Sequence, residues 1–112
     1  MPDLPLLKGT LDLLVLKTLS WGALHGYAIS SWLEHQSQGT LGVDDSALYQ
    51  ALHRLEDRDL VTAEWGITDT GRRARFYQLT AAGRRRLKAE AATWLQYTQS
   101  VSAILALTSR AV

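Results

Sequence analysis

The sequence predicts a mainly α domain with a minor β component, and three observations carry that expectation. Apolar residues recur at helical spacing in three successive segments within the first half of the chain. Two short β-type runs, Leu60–Trp65 and Arg73–Thr80, are joined by GITDTGR, a loop with glycines near both ends. A long apolar stripe then repeats at spacings of four and three after Thr80. Three helices, a two-stranded hairpin and a long helix give the order of a winged helix-turn-helix with one helix added. The expected division is residues 1–80 for the winged helix-turn-helix and 81–108 for the terminal helix.

The first helix is expected over Thr10–Trp21, where leucines and Val15 fall on nearly every side, with Thr10 as its cap after Gly9. HGYAISSWLEH supplies a second, shorter helix: Gly26 is read as permitting a tight turn, and Gly39 and Gly42 break the pattern afterwards. Asp44 or Asp45 caps the third, SALYQALHRLEDR, whose Leu48, Ala51, Leu52 and Leu55 lie on one side. Its other side shows Ser46, Gln50 and His53, flanked by Tyr49. Thr80 caps the last helix, which is expected to reach about Leu107.

Composition narrows the function classes. A chain of 112 residues is one domain by length, large enough to bury roughly two thirds of its unfolded surface. It has no cysteine, so disulfides, zinc–thiolate sites and cysteine nucleophiles are excluded. The start MPDLPLLKGT lacks the cationic segment and cleavage site of a signal peptide, and Asp12 and Lys17 interrupt the early leucine run. The expectation is a cytoplasmic protein that does not enter a membrane. His25, His35 and His53 have no metal-ligand spacing, and no nucleophile elbow or phosphate loop is present. No catalytic residue, metal or cofactor is expected.

The charge is segregated. The net charge is only +1, yet the stretch from Asp69 to Lys88 holds seven arginines and lysines and no acidic residue after Asp69. In a helix-turn-helix the second helix of the pair enters the major groove of double-stranded DNA and its first residues reach base edges. That makes Ser46, Tyr49, Gln50 and His53 the reading residues, although the same pattern describes a plain solvent face. Arg72, Arg73 and Arg75, at the hairpin tip and the beginning of its second strand, are placed to hold phosphates; the alternative is an edge strand blunted by charge. Arg84, Arg85, Arg86 and Lys88 open the last helix, where cations oppose the dipole and need partners, either phosphate or the cluster Glu56, Asp57 and Asp59.

Leu87, Ala91, Trp94, Thr98, Val101 and Leu105 form the stripe of the last helix, which at ~1.5 Å per residue is longer than a small winged domain can cover. A second copy of the chain is the simplest cover; the alternative is burial against the first helix. Trp94 on this seam serves either core packing or a flat apolar cavity for a small aromatic effector.

LKGTLDLLVLKTL, LHGYAISSWLE, SALYQALHRLEDRDLV and GRRARFYQLTAAGRRRL, followed by Trp94, together resemble the PadR family of transcriptional regulators, in its small subgroup with a single C-terminal helix. The resemblance runs from about Leu6 to Leu105. It implies a homodimeric winged helix that binds a near-palindromic operator, often as a repressor, and is released by a small molecule in some members. It also implies DNA contacts from Tyr49 and the neighbouring polar positions of its helix, and from Arg72, Arg73 and Arg75 in the wing. The chain departs from the family where Ser46-Ala47 and Gln50 stand in place of Gly-Ser or Gly-Thr and of Pro around Leu48-Tyr49. Ala47 lacks a hydroxyl that would reach phosphate, and Ser46 stands as its replacement. A rival expectation is a winged helix that docks on a partner protein, supported by Asp44 and Asp45 beside the reading face.

Overall fold

The computed structural model describes residues 6–7 and 9–110. In chain order the elements are α1 (Thr10–Thr18), β1 (Leu24–His25), α2 (Gly26–Gln36), α3 (Asp45–Asp57), β2 (Val61–Ile67), β3 (Arg73–Leu79) and α4 (Ala81–Leu105). A short 3-10 turn, Leu19–Trp21, closes α1. The architecture is mainly α with a small sheet, the winged helix-turn-helix that the sequence predicts.

α1 buries Leu11, Val15 and Leu16. Its cap is Gly9 rather than Thr10: the backbone enters the helix through a left-handed conformation, φ 85°, which glycine adopts without a Cβ clash. The α2 cap is His25, whose Nδ1 accepts from the backbone N–H of Ala28 at 3.4 Å. Gly26 does not make a tight turn but is the first residue of α2. A Cβ there would lie 2.7 Å from the Tyr49 hydroxyl, so the glycine makes room for a side chain of α3.

α3 begins as expected, with the Asp44 carboxylate accepting from the Ala47 N–H at 3.2 Å. Leu48, Ala51, Leu52 and Leu55 are all buried and join Leu16, Leu19, Ile29 and Leu33 in one core. β2 and β3 pair antiparallel, with Val61 opposite Leu79, Trp65 opposite Arg75 and Ile67 opposite Arg73. β2 runs two residues beyond the expected Trp65. β1 adds a third strand on the other side of β3, with Leu24 opposite Tyr77.

Thr80 caps α4 through its hydroxyl, which accepts from the Gly83 N–H at 3.0 Å and donates to the Asp59 carbonyl at 2.7 Å. Gly83 lies so close to the Leu60 carbonyl that a Cβ would collide with backbone, which seats the first turn of α4 against the hairpin base. The first half of α4 packs on α1, with Leu87 and Ala82 against the core. The second half leaves the body, and every residue from Gln99 to Arg110 is exposed. The Cα radius of gyration is 16.4 Å with a longest extent of 61 Å, whereas a compact chain of this length has a radius of about 13 Å.

Candidate nucleic-acid interface

The exposed side of α3 follows from its buried side. With Leu48, Ala51, Leu52 and Leu55 inward, the 100° step turns Ser46, Tyr49, Gln50 and His53 outward. These four, with Arg54, line a shallow concavity of 560 Å³. Arg54 is tied to α1: its Nη2 donates to Asp12 at 2.7 Å and its Nε donates to the other carboxylate oxygen at 3.4 Å. The hydrogen bond to Asp12 raises the guanidinium pKa further. The fork ties α3 to α1 beside the concavity, in the rotation that the buried leucines set. His53 Nε2 lies 3.6 Å from the Asp57 carboxylate one turn on, an ion pair only when the imidazole is protonated.

The hairpin tip is fastened by its own backbone. The N–H of Thr68 donates to the Arg72 carbonyl at 2.8 Å, and that of Gly71 to the Thr68 carbonyl at 2.9 Å. The Thr68 hydroxyl accepts from the Arg72 N–H at 3.1 Å, and Gly71 takes φ 82°. Arg72 and Arg73 are consequently exposed at fixed positions where β3 begins. The Arg73 guanidinium lies over the Trp65 ring, 4.6 Å from its centroid, a cation–π contact that narrows the arginine's freedom. Arg75 differs: its Nη2 donates to Glu56 of α3 at 2.9 Å and its guanidinium lies 5.7 Å from the Tyr77 ring centroid. Burial raises the Tyr77 phenol pKa, and the Arg75 charge works against that rise.

Between the wing and α2 runs a cleft of 1300 Å³ lined by Tyr27, Ser31 and His35 on one side and by Trp65, Arg72, Arg73 and Arg75 on the other. Tyr49 lines both this cleft and the α3 concavity, so the two form one continuous surface. Tyr27 and Trp65 are additions to the residues expected from the sequence. Tyr27 is 77% exposed and stacks on His25 with centroids 6.5 Å apart. The period-two alternation Val61, Ala63, Trp65 was the available signal for Trp65, but its meaning depends on the register with Arg73 and Arg75.

Within the chain, two residues of the basic run at the start of α4 are paired, and neither with the cluster Glu56, Asp57 and Asp59. Arg84 Nη1 donates to the Ser20 carbonyl at 3.2 Å and Arg86 Nη1 to Glu90 at 3.2 Å, while Glu56 is taken by Arg75. Along the seam, Leu87, Ala91 and Trp94 border an apolar groove of 920 Å³ between α1 and α4. Thr98 turns its hydroxyl back to the Trp94 carbonyl at 2.9 Å, and Val101 and Leu105 are exposed. α1 therefore covers only the first half of the seam.

These elements define a winged-helix protein with a polar, arginine-flanked face on its second helix-turn-helix element. The PadR-like family of transcriptional regulators matches residues 15–89, and the chain belongs to that family. It is 44% identical over 80 residues, 71% of its length, to an uncharacterised 37.1 kDa protein in a transposon of Streptomyces fradiae, and spans 21% of that protein. Among solved structures, a PadR family transcriptional regulator from Eggerthella lenta is 28% identical with a TM-score of 0.75, covering 90% of this chain and 86% of its own. A transcriptional regulator from Clostridium thermocellum has the same fold at TM-score 0.77 and 24% identity, covering 86% and 90%. The family and these neighbours are transcription regulators rather than enzymes. Family membership makes the chain a DNA-binding regulator. Among the described residues no helix is long and apolar enough to cross a membrane.

Proposed function

We propose that the chain is a homodimeric repressor that reads a near-palindromic operator through Ser46, Tyr49, Gln50 and His53 while the wing holds phosphates through Arg72 and Arg73. The observation that carries this reading is the position of Tyr49, which joins the α3 concavity to the wing cleft. A duplex lying on that surface meets base-reading amide and hydroxyl groups and backbone-holding guanidinium groups together. Gln50 suits adenine through paired hydrogen bonds, and the Tyr49 ring suits a thymine methyl. Dimerisation is supported by α4, whose outer half presents Val101, Ile104 and Leu105 with nothing among the described residues to cover them. Two copies joined there would present two α3 helices to half-sites about one helical turn, ~34 Å, apart. The groove between α1 and α4, bordered by Trp94, is the place that best suits a planar aromatic effector releasing the operator.

The two kinds of contact separate in a salt titration. Arg73→Ala should weaken binding to every duplex sequence alike and flatten the slope of log K against log salt by about 0.9. Gln50→Ala should leave that slope unchanged and relax base preference at one position in each half-site. Fluorescence anisotropy with a labelled duplex measures both; an unchanged affinity and slope for Arg73→Ala removes the wing from the interface.

A further inference from the structure

Arg75 and Glu56 raise a question that the DNA-binding reading leaves open. Glu56 is a carboxylate on the wing-facing side of α3, one turn beyond His53 on the stripe that runs through Tyr49 and His53. Left bare, it would repel the phosphates that the wing attracts. Arg75 Nη2 answers it at 2.9 Å, and both side chains are more than half sequestered, at 39% and 31% exposure. The guanidinium also rests near Tyr77, which is 5% exposed and belongs to the core. Arg75 is thus held by a charge from α3 and an aromatic face from β3, the two elements whose relative position sets the distance between base reading and phosphate holding.

We infer that Arg75 is a positioning residue: with Glu56 it forms a strut that locks the wing to the recognition helix and cancels a carboxylate facing DNA, and it holds no phosphate itself. This rests on the DNA-binding reading above and changes the role of one arginine within it. Arg73, two residues earlier on the same face of β3, is exposed and braced only by Trp65. The two arginines therefore have opposite signatures. Loss of Arg73 removes a phosphate contact; loss of Arg75 removes none, and bares Glu56.

The test compares Arg75→Gln, Glu56→Gln, the double variant and Arg73→Gln, using a labelled mixed-sequence duplex across a salt series. Arg73→Gln should flatten the salt slope by about 0.9, whereas Arg75→Gln should lower affinity several-fold by baring Glu56, and the double variant, which removes both charges together, should keep the wild-type slope. Glu56→Gln should tighten binding and steepen the slope by up to about 0.9, because the freed Arg75 can then reach phosphate, an effect that a merely structural pair would not produce. Thermal melts of the wild type, Arg75→Gln, Glu56→Gln and the double variant without DNA close a double-mutant cycle, in which the Glu56 and Arg75 changes should be non-additive. A slope flattened by about 0.9 in the double variant overturns the inference, as do additive melting shifts. If the wild-type protein fails to bind the duplex at low salt, the DNA-binding reading falls, and the cycle alone then decides whether the strut exists.

Discussion

α3 and α4 are both amphipathic helices, yet they stand in opposite relation to the rest of the chain. α3 turns Leu48, Ala51, Leu52 and Leu55 into the core, where each is 1% exposed or less, and its outward side is polar. α4 carries a stripe of its own, but its outer members are exposed, Val101 by 38% and Leu105 by 79%. The difference lies in length and not in pattern: α3 is 13 residues and stays over the body, whereas α4 is 25 residues and outruns it. A repeat at spacings of three and four states that a helix has an apolar partner; only the tertiary arrangement states whether that partner belongs to the same chain.

The sharpest way to separate the two helices is truncation of one leucine in each. Leu52→Ala removes a fully buried side chain from the centre of the core and should cost about 2–5 kcal/mol, enough to lower the melting temperature by roughly 10 °C or more. Leu105→Ala should change the stability of the isolated chain by less than about 0.5 kcal/mol, since it deletes an exposed group. In the proposed dimer it should instead weaken self-association, so that the melting temperature depends more steeply on protein concentration. Melting curves over a wide concentration range, with sedimentation velocity on the same samples, distinguish these outcomes. A large, concentration-independent loss from Leu105→Ala would place its partner within the chain.

Gly83 lies at the joint between the two regions and gives the next largest effect. Its position faces the Leu60 carbonyl, which already accepts the Thr80 N–H at 3.1 Å, so the obstruction is hydrogen-bonded backbone and cannot swing aside. Gly83→Ala should therefore cost about 1–3 kcal/mol despite alanine's better helix propensity. Because α4 would have to tilt away from the hairpin base, the emission of Trp94 should shift as well. Gain of stability from this substitution would mean that α4 can move freely against the body.

The comparison also explains what was legible in the sequence. The apolar side of α3 and the caps at Asp44 and Thr80 depend on neighbours within one or two turns, and the local pattern carries them, with the α3 cap narrowed to Asp44 or Asp45. β1 is two residues long and becomes a strand only because Tyr77 and Phe76 lie beside it. Gly26 looked like a turn residue because the ring that needs its space, Tyr49, comes from a later helix; the reason is purely tertiary. In the candidate interface, the outward stripe of α3 was legible from the 100° step alone. The separate fates of Arg73 and Arg75 were not, since both alternate correctly along β3 and only the packing of α3 brings Glu56 to one of them. Arg84 and Arg86 likewise find a carbonyl of the 3-10 turn and a carboxylate one helical turn on, choices that the charge pattern leaves open.

The smallest expected effect separates the regions by pH. Tyr77 sits in the body against β1 and α3, and burial raises its phenol above the ordinary value of 10.0, with Arg75 opposing that rise. The folded protein thus keeps the phenolic proton to higher pH than the unfolded chain does. Its contribution to stability is complete below about pH 10, where both states are protonated, and declines as the pH rises through the folded-state value, because the unfolded chain ionises first. Wild type should lose melting temperature relative to Tyr77→Phe above about pH 10, and the gap between them should be constant from about pH 7 to 9. The seam of α4 from Leu87 to Leu105, read at Leu87, Ala91, Trp94, Thr98, Val101 and Leu105, carries no side chain that ionises in this range. Self-association should accordingly hold while the body weakens. A dissociation that tracks the loss of stability would instead place Tyr77 and the seam in one cooperative unit, and the contrast between α3 and α4 would then describe their surfaces but not their energetics.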